Sequence, residues 1–331
     1  TFLYIYICLY LCIYIVLYVC IGFLSASTSP LCVTALGASV CALGRWMNKA
    51  SRYLLMSKYE CYVVYGDTDS LMVIFSLRNK PANITTRNDV MNYIADLATE
   101  AGKDCTALFK APNVFELECF KSPMLMLPQK KNYVAVEFGI KKDCWDATVN
   151  GHFLMKGIVL TKRDRCPVVR YTGKEIMHRI VFEHNCSDIE IRKYLEGVVA
   201  TFEARPADVS QFIITCAIAE TYKSSSVIGI TLKTQIEEDS GATPLVGTRI
   251  PFVVIVAPGK KHFESVTTVD RYIADKNIKL DMKYYLEKQL LQSFKNVLVH
   301  HPNTFKIMSD VVNARVMKLN MQATGQTLLK F

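Results

Sequence analysis

The stretch YGDTDS, at residues 65–70, lies between two short apolar runs rich in β-forming residues, at 61–65 and 70–75. Such runs around a short polar turn predict a β-hairpin, here with Asp67 and Asp69 at its tip. Two adjacent carboxylates are costly unless a cation or a basic partner neutralises them, and Mg²⁺ prefers carboxylate oxygen. The alternative is an ordinary solvated acidic turn, because a bare D-x-D turn is common.

Helices are predicted before and after this hairpin. Apolar residues recur every three or four positions from Val33 to Met47, which predicts an amphipathic helix over 31–55. Its other side carries Arg45, Asn48, Lys49 and Arg52, either as a solvated face or as a face near DNA. A second helix is predicted over 88–109, and strands are predicted over 114–119, 124–128, 133–138 and 152–160.

The second half of the chain has a mostly helical pattern. We expect helices over 175–183, 188–202, 207–219 and 282–294, with a strand over 249–256 and a loop at His300 and His301. A helix, a hairpin, a helix and consecutive strands indicate an α+β fold rather than alternating βαβ units. The length of 331 residues suits two domains, which we place at 25–155 and 156–331.

Composition narrows the function classes. A net charge of +9 favours a polyanionic partner such as nucleic acid. The 12 cysteines include no C-x-x-C pair, so a zinc ribbon or a disulfide framework is not expected. We interpret them as reduced, mostly buried thiols of an intracellular protein.

The first 24 residues form an uncharged hydrophobic segment of doubtful origin. Residues 2–24 are long enough to cross a bilayer as a helix. However, no Lys or Arg precedes Arg45, and tyrosines run through the middle of the segment rather than along its ends. We therefore prefer translated non-coding or shifted-frame sequence joined to a genuine domain, with a membrane anchor as the alternative.

YGDTDS between apolar strands resembles the third polymerase motif of the B-family DNA polymerases, and the flanking sequence agrees over about 250 residues. The segments that carry the resemblance are Lys130-Lys131-Asn132-Tyr133, Lys156-Gly157, Lys162-Arg163-Asp164, Gly247-Thr248-Arg249-Ile250-Pro251-Phe252 and Asp281-Met282-Lys283-Tyr284-Tyr285-Leu286. Thr248 and Phe252 depart from the usual Asp and Tyr of the G-D-R-I-P-Y element. The resemblance implies a partial palm with an antiparallel sheet, followed by a mostly helical thumb.

The resemblance also implies an activity, namely nucleotidyl transfer from a dNTP to a primer 3′-hydroxyl in DNA replication. Asp69 would be the direct metal ligand and Asp67 the supporting carboxylate of a two-metal Mg²⁺ site. Thr68 and Ser70 would lie beside the nucleotide. The residues expected to bind primer-template DNA are Lys130, Lys131, Tyr133, Arg163 and Arg249, and for Tyr133 a core position is an equally good account.

Two polymerase motifs of the family are missing from this chain, D-x-x-S-L-Y-P-S and K-x-x-x-N-S-x-Y-G. We therefore expect the isolated chain to be inactive, and a DNA-binding remnant without catalysis is the alternative function. We also expect a palm sheet with an unpaired edge where the first motif's strand would lie. The general pattern resembles polymerases of large DNA viruses, with those of insects as candidates, which implies a nuclear location and a processivity factor as partner.

Overall fold

The computed structural model describes residues 6–12, 25, 30, 32–67, 69–139, 151–181 and 187–324, with the backbone alone for 6–12, 323 and 324. The chain divides into two compact units. Unit 1 holds residues 1–126 and 133–154, and unit 2 holds 127–132 and 155–331. Helices and antiparallel sheets occur in both, so the predicted α+β class is confirmed. The predicted domain boundary, between 155 and 156, lies one residue from this division.

Unit 1 contains one six-stranded sheet with two long helices. The helices are α1 (Thr34–Lys58) and α2 (Arg87–Ala107). The strands are β1 (Tyr6–Cys12), β2 (Cys61–Asp67), β3 (Ser70–Phe75), β4 (Val114–Met126), β5 (Tyr133–Phe138) and β6 (Gly151–Lys156). Their order in the sheet is β2-β3-β1-β4-β5-β6. The strands predicted separately over 114–119 and 124–128 are therefore one continuous strand, β4.

Strand β1 comes from the hydrophobic amino-terminal segment and lies in the interior of the sheet. It pairs antiparallel with β3 on one side and with β4 on the other. Tyr10 is opposite both Ser70 and Glu116. The expected unpaired edge is therefore wrong, because the β-branched and aromatic residues of this segment favour a strand that hydrogen-bonds along both edges. Residues 2–5 and 13–24, the rest of the membrane-anchor alternative, lie outside the described residues.

The two helices of unit 1 are fixed by capping and by close packing. Thr86 caps α2, since its hydroxyl accepts from the Asp89 N–H while the Asp89 carboxylate accepts from the Thr86 N–H. Gly102 allows α2 to approach β4, because a Cβ there would lie 2.8 Å from the Phe115 carbonyl oxygen. Asp104 of α2 accepts hydrogen bonds from Lys58 and Tyr59, which ties the end of α1 to α2.

Unit 2 is mostly helical around a small sheet. Its helices are α3 (Pro167–Val181), α4 (Asp188–Ala200), α5 (Ile228–Ser240), α6 (Val269–Ala274), α7 (282–294) and α8 (Pro302–Thr324). Its strands are β7 (Ile214–Ala217), β8 (Arg249–Val254) and β9 (Val266–Thr268), in the order β7-β8-β9. The middle of α7, Tyr285–Leu291, is π-helical, and the Tyr285 hydroxyl accepts a hydrogen bond from the Val254 N–H.

The helix predicted over 207–219 is wrong. Asp208 caps a short 3₁₀ turn, Val209–Phe212, and the chain then continues as β7. Pairing of β7 with β8 satisfies the backbone groups that a helix would have satisfied internally. No helix was predicted at α5, α6 or α8, whereas helical structure over 282–294 is confirmed.

The seven cysteines whose side chains the structure describes are free thiols, and three of them are buried, fewer than the mostly buried set that the sequence predicts. Cys105, Cys119 and Cys166 are buried, whereas Cys41 is exposed. Burial raises the pKa of Cys105 to about 11 and that of Cys166 to about 12, so both remain protonated near neutral pH. No helix in the described ranges combines the length and the apolarity that crossing a bilayer requires.

Candidate functional site

The acidic hairpin is a pair of antiparallel strands, β2 and β3, as the sequence predicted. Asp67 is opposite Ser70 at its end, and Gly66 is opposite Leu71. Asp67, Asp69 and Ser70 are half-buried, whereas Thr68 lies outside the described residues. The Ser70 hydroxyl donates to the Asp67 carbonyl oxygen at 3.2 Å, which fixes the two ends of the turn against each other. Two carboxylates are thereby presented on a short, internally bonded tip.

Helix α1 supports this tip from one side. The Asn48 side-chain N–H donates to the Ser70 carbonyl oxygen at 3.3 Å. A Cβ on Gly66 would lie 3.0 Å from a methyl carbon of Leu71 and 3.5 Å from the Asn48 side-chain oxygen. Gly66 belongs to strand β2 rather than to the turn, so its role is to leave room for Leu71 and Asn48 beside the strand.

The strand next to β3 brings no acidic residue to the site. Strand β1 reads YICLYLC, so the position beside Ser70 is occupied by Tyr10. The nearest carboxylate in that cross-strand row is Glu116, two strands from Ser70 and about 10 Å away. Within the ranges that the structure describes, no three His, Cys, Asp or Glu side chains group closely enough to hold a metal ion. Asp67 and Asp69 are therefore the donors that the hairpin itself offers.

Tyr133, predicted to contact DNA, lies in the interior of unit 1. It is 6% exposed and packs with Met72, Cys119 and Ala135. Tyr65, the first residue of the hairpin motif, packs against the same cluster. The position agrees with the core interpretation of Tyr133, and direct contact with DNA stays a prediction. The cluster joins the hairpin strand β3 to strands β4 and β5.

Lys130 and Lys131 project from a tight turn after β4. Both are exposed. The Asn132 N–H donates to the Gln129 carbonyl oxygen at 3.2 Å, and the Leu127 N–H donates to the Asn132 carbonyl oxygen at 3.0 Å. Lys131 has a φ of 65°, the left-handed conformation that a type II turn requires at its third residue. We name residues 129–132 the basic turn.

Gly157 packs directly against the basic turn. Its φ is 71°, and a Cβ there would lie 2.3 Å from both the Lys131 carbonyl oxygen and the Asn132 side-chain oxygen. No side chain fits this position without moving the turn. Lys131 and Asn132 of the K-K-x-Y segment are thus neighbours of Gly157 in unit 2, through a contact that only glycine permits.

Arg163 and Arg249 are joined by Thr215. The Arg249 guanidinium donates to the Thr215 hydroxyl at 3.1 Å and to the Thr215 carbonyl oxygen at 3.2 Å. The same hydroxyl donates to the Arg163 carbonyl oxygen at 3.2 Å. Both arginines are exposed. Thr215 therefore links the backbone of Arg163 to the guanidinium of Arg249, within the unit that also holds the basic turn.

Sequence reasoning missed the residues that hold the site residues in place. Asn48 appeared only as part of a polar helix face, Gly157 only as a motif letter, and Thr215 fell within a helix that does not exist. Each acts on a partner at least 22 positions away along the chain. Local periodicity carries no signal of such contacts, and only the co-occurrence of the motifs could have indicated that Gly157 approaches Lys131.

The sequence model of DNA polymerase family B matches residues 12–301. The chain belongs to this family. The match includes the acidic hairpin, the basic turn and the Arg163–Thr215–Arg249 contact. It begins at the last residue of β1 and ends just before α8. The recognition of a B-family DNA polymerase from YGDTDS and its flanks is thereby confirmed.

Curated proteins similar to this chain include catalytic subunits of DNA polymerase delta. The Schizosaccharomyces pombe protein is 27% identical over 278 residues, which cover 81% of this chain and 24% of that protein. The rice protein is 28% identical over 293 residues, covering 84% of this chain and 25% of that protein. The Drosophila melanogaster protein is 25% identical over 309 residues, covering 89% of this chain and 26% of that protein. This family B chain thus spans about a quarter of the length of these relatives. They are cellular enzymes, so the resemblance to viral polymerases stays a prediction.

Proposed function

We propose that this family B segment takes part in template-directed DNA synthesis, the transfer of a nucleotidyl group from a dNTP to a primer 3′-hydroxyl. The observation that carries the proposal is the half-buried pair Asp67 and Asp69 on a tip braced by Asn48 and Ser70. Two carboxylates held close together favour a nearby cation, which a divalent metal would supply. The names of its relatives and its family support DNA and nucleotides as the substrates.

Family B DNA polymerases generally use divalent metal ions, and we propose Mg²⁺ for this chain. Asp69 would be the direct ligand and Asp67 the supporting carboxylate. Both offer the oxygen donors that Mg²⁺ prefers, and one or two carboxylates with substrate phosphates complete its shell. When bound, the metal would stabilise charge on the phosphates during transfer. Thr68 and Ser70 would lie beside the nucleotide, where their small side chains leave room for it.

The cations of unit 2 would hold the primer-template duplex by its backbone. Lys130 and Lys131 stand exposed on a turn that Gly157 fixes, and Arg163 and Arg249 share the support of Thr215. Cations held on rigid supports neutralise phosphates without reading bases. Tyr133 packs in the interior of unit 1 with Met72 and Cys119, where it would support the acidic hairpin, and its contact with DNA stays a prediction.

For the chain taken alone we propose weak metal binding and negligible synthesis. Strand β1 presents Tyr10 rather than a carboxylate beside Ser70, so the hairpin lacks a second acidic strand at its side. A catalytically inactive DNA-binding remnant is the alternative for the isolated chain. The family match and the delta subunits favour the polymerase function for the protein as a whole.

A chimera tests the polymerase function. Residues 12–301 would replace the corresponding segment of an active family B polymerase, and primer extension would be measured with Asp69 and with Asp69→Ala. We expect extension only with Asp69. Glu196→Gln, which neutralises an exposed carboxylate of α4, is the matched control and should extend like the parent chimera. Equal extension by the Asp69→Ala chimera would contradict the role of the hairpin.

The isolated chain provides a second test. Mg²⁺-dependent binding of a fluorescent dNTP should be measurable, and Asp69→Asn should remove it while Glu196→Gln does not. Primer extension by the isolated chain should not exceed that of its own Asp69→Ala variant. A nuclear location and a processivity factor as accessory partner also follow from the proposal, and fluorescent tagging and affinity capture of the parent protein would test them.

A further inference from the structure

The outward face of α1 carries a stripe that neither the fold nor the acidic hairpin uses. Buried Met47, Ser51 and Leu55 mark the inner face of the helix. The opposite face consists of six exposed residues, Arg45, Trp46, Lys49, Arg52, Tyr53 and Met56, which we name the α1 stripe. Their spacing of three, four and seven positions places them in one row along the helix.

The α1 stripe is a concentrated positive surface. Helix α1 contains no Asp or Glu over its 25 residues. Within the described part of the chain, Arg45, Lys49 and Arg52 form no ion pair. The nearby acid of α2, Asp104, is occupied by Lys58 and Tyr59 beyond the end of the stripe. Three cations without counter-charges indicate an anionic partner rather than a structural network.

Aromatic side chains alternate with these cations. Trp46 is 56% exposed and Tyr53 is 78% exposed, although both are large enough to bury well over 100 Å². Phe109 contacts the edge of Trp46 with a ring-centroid distance of 6.0 Å and an interplanar angle of 71°, which orients the indole ring. A surface cavity of about 470 Å³ lies beside Tyr53, lined by Lys49, Arg52, Tyr53, Met56 and Ser57.

We propose that the α1 stripe binds single-stranded nucleic acid. Cations that follow a phosphate backbone, alternating with rings on which unpaired bases stack, are the combination that single strands require. Trp46 and Tyr53 lie two helical turns apart, about 10.5 Å along the axis, with Lys49 between them. Paired bases of a duplex cannot stack on these rings, so the aromatic residues select the single strand.

This surface is separate from the proposed catalytic site. Asn48 faces the hairpin from the inner side of α1, whereas the α1 stripe points away from it. Binding there requires neither Asp69 nor the basic turn. A second copy of the chain is a poorer occupant, because two identical stripes of three unpaired cations repel each other across a two-fold axis.

The fluorescence of Trp46 would report whether nucleic acid is bound to the α1 stripe. The chain has two tryptophans, so Trp145→Phe leaves Trp46 as the one tryptophan fluorophore. We expect oligo(dT) of about 15 nucleotides, within the footprint of known single-strand sites, to quench this fluorescence. A duplex of the same length should not quench it. This measurement uses the full chain and does not depend on a variant of the stripe.

The charge requirement is tested with Arg45→Gln, Lys49→Gln and Arg52→Gln combined. Three lost phosphate contacts should reduce the salt slope of single-strand binding by about 2. When the salt concentration rises from about 50 to 200 mM, the single-strand affinity of the parent should therefore fall about 18-fold more than that of the triple variant. The matched control combines Arg78→Gln, Arg87→Gln and Lys103→Gln, three exposed cations of unit 1 with the same charge change.

Several outcomes overturn the proposal. Binding of oligo(dT) without Trp46 quenching places the strand elsewhere. If the two triple variants bind oligo(dT) with equal affinity and equal salt slope, the α1 stripe is a solvated face and not a binding site. Trp46 emission that changes with protein concentration in the absence of DNA indicates self-association instead. Lys130→Gln with Lys131→Gln should weaken duplex binding and leave single-strand binding unchanged, so failure of the basic turn is distinguishable from failure of the stripe.

Discussion

Replacing Gly157 with alanine perturbs the basic turn without touching a charge. The new Cβ would lie 2.3 Å from the Lys131 carbonyl oxygen and from the Asn132 side-chain oxygen, about 1 Å inside ordinary contact distance. Because one of these atoms belongs to the backbone, the turn that carries Lys130 and Lys131 must move. We therefore expect Gly157→Ala to reduce both the stability of unit 2 and its affinity for duplex DNA.

The magnitude follows from two separate costs. An alanine at a φ of 71° loses about 1–2 kcal/mol from left-handed strain. Forcing an extra methyl group into a filled space costs about 1–3 kcal/mol more. Gly241→Ala isolates the first cost, because Gly241 has a φ of 68° and nothing within 4 Å of its added Cβ. The free energy of unfolding should therefore fall by about 2–5 kcal/mol in Gly157→Ala and by about 1–2 kcal/mol in Gly241→Ala.

Urea denaturation monitored by circular dichroism measures the difference in stability between the two variants. Fluorescence anisotropy with a labelled duplex at several salt concentrations measures the loss of affinity for duplex DNA. Loss of both lysine contacts would reduce the salt slope by about 1.8, whereas Gly241→Ala should retain the parent slope. If the two alanine variants unfold at the same urea concentration and bind duplex alike, Gly157 does not hold the basic turn and the reasoning is refuted.

Three further predictions concern the hairpin, a helix cap and pH. Asn48→Leu removes the donor to the Ser70 carbonyl oxygen, so the free energy of unfolding measured in urea should fall by about 1 kcal/mol. Mg²⁺-dependent dNTP binding should weaken as well. Ser39→Ala, on the same helix, should change neither. Thr86→Ala should lower the free energy of unfolding by about 1 kcal/mol through loss of the α2 cap, whereas Thr85→Ala, one residue before the cap, should not. Burial lowers the pKa of His301, so below about pH 6.5 the unfolded chain binds more protons and stability falls as pH decreases. The decrease in Tm between about pH 7.5 and 5.5 should be smaller in His301→Gln, and an unchanged decrease would assign it to other groups.

The features predicted well from sequence are those encoded by neighbouring residues. Alternating β-formers on both sides of a glycine and two aspartates predict β2 and β3, and three-and-four spacing predicts α1 and α2 within a few residues of their ends. Helix α8 was missed because polar residues interrupt its apolar face, although Met308, Val311 and Val312 are all buried. Tertiary packing rather than a clear stripe makes this segment helical.

The features that failed depend on distant partners. Residues 214–217 became a strand because Arg249–Val254 lies beside them, and Arg249, which contacts Thr215, comes 34 positions later in the chain. The position of β1 between β3 and β4 could not be predicted, because its apolar sequence is equally compatible with a membrane helix, a buried strand or unrelated sequence. For the site, the motif residues were found and their supports, Asn48, Thr215 and Gly157, were not, since each contact joins segments far apart in the chain.

Strand β1 lies between β3 and β4 in the sheet, and it is synthesised before both of the strands that it pairs with. Tyr10 leaves the ribosome about 60 residues before Ser70 and about 106 residues before Glu116, the two partners on its flanks. At translation rates of about 5–20 residues per second, this apolar strand waits about 3–12 s for its first neighbour and about 5–21 s for its second. During that interval the strands that pair with it in the sheet, β3 and β4, are not yet complete. Nascent chains of this protein should therefore need a chaperone that holds the amino-terminal segment until β4 has been made.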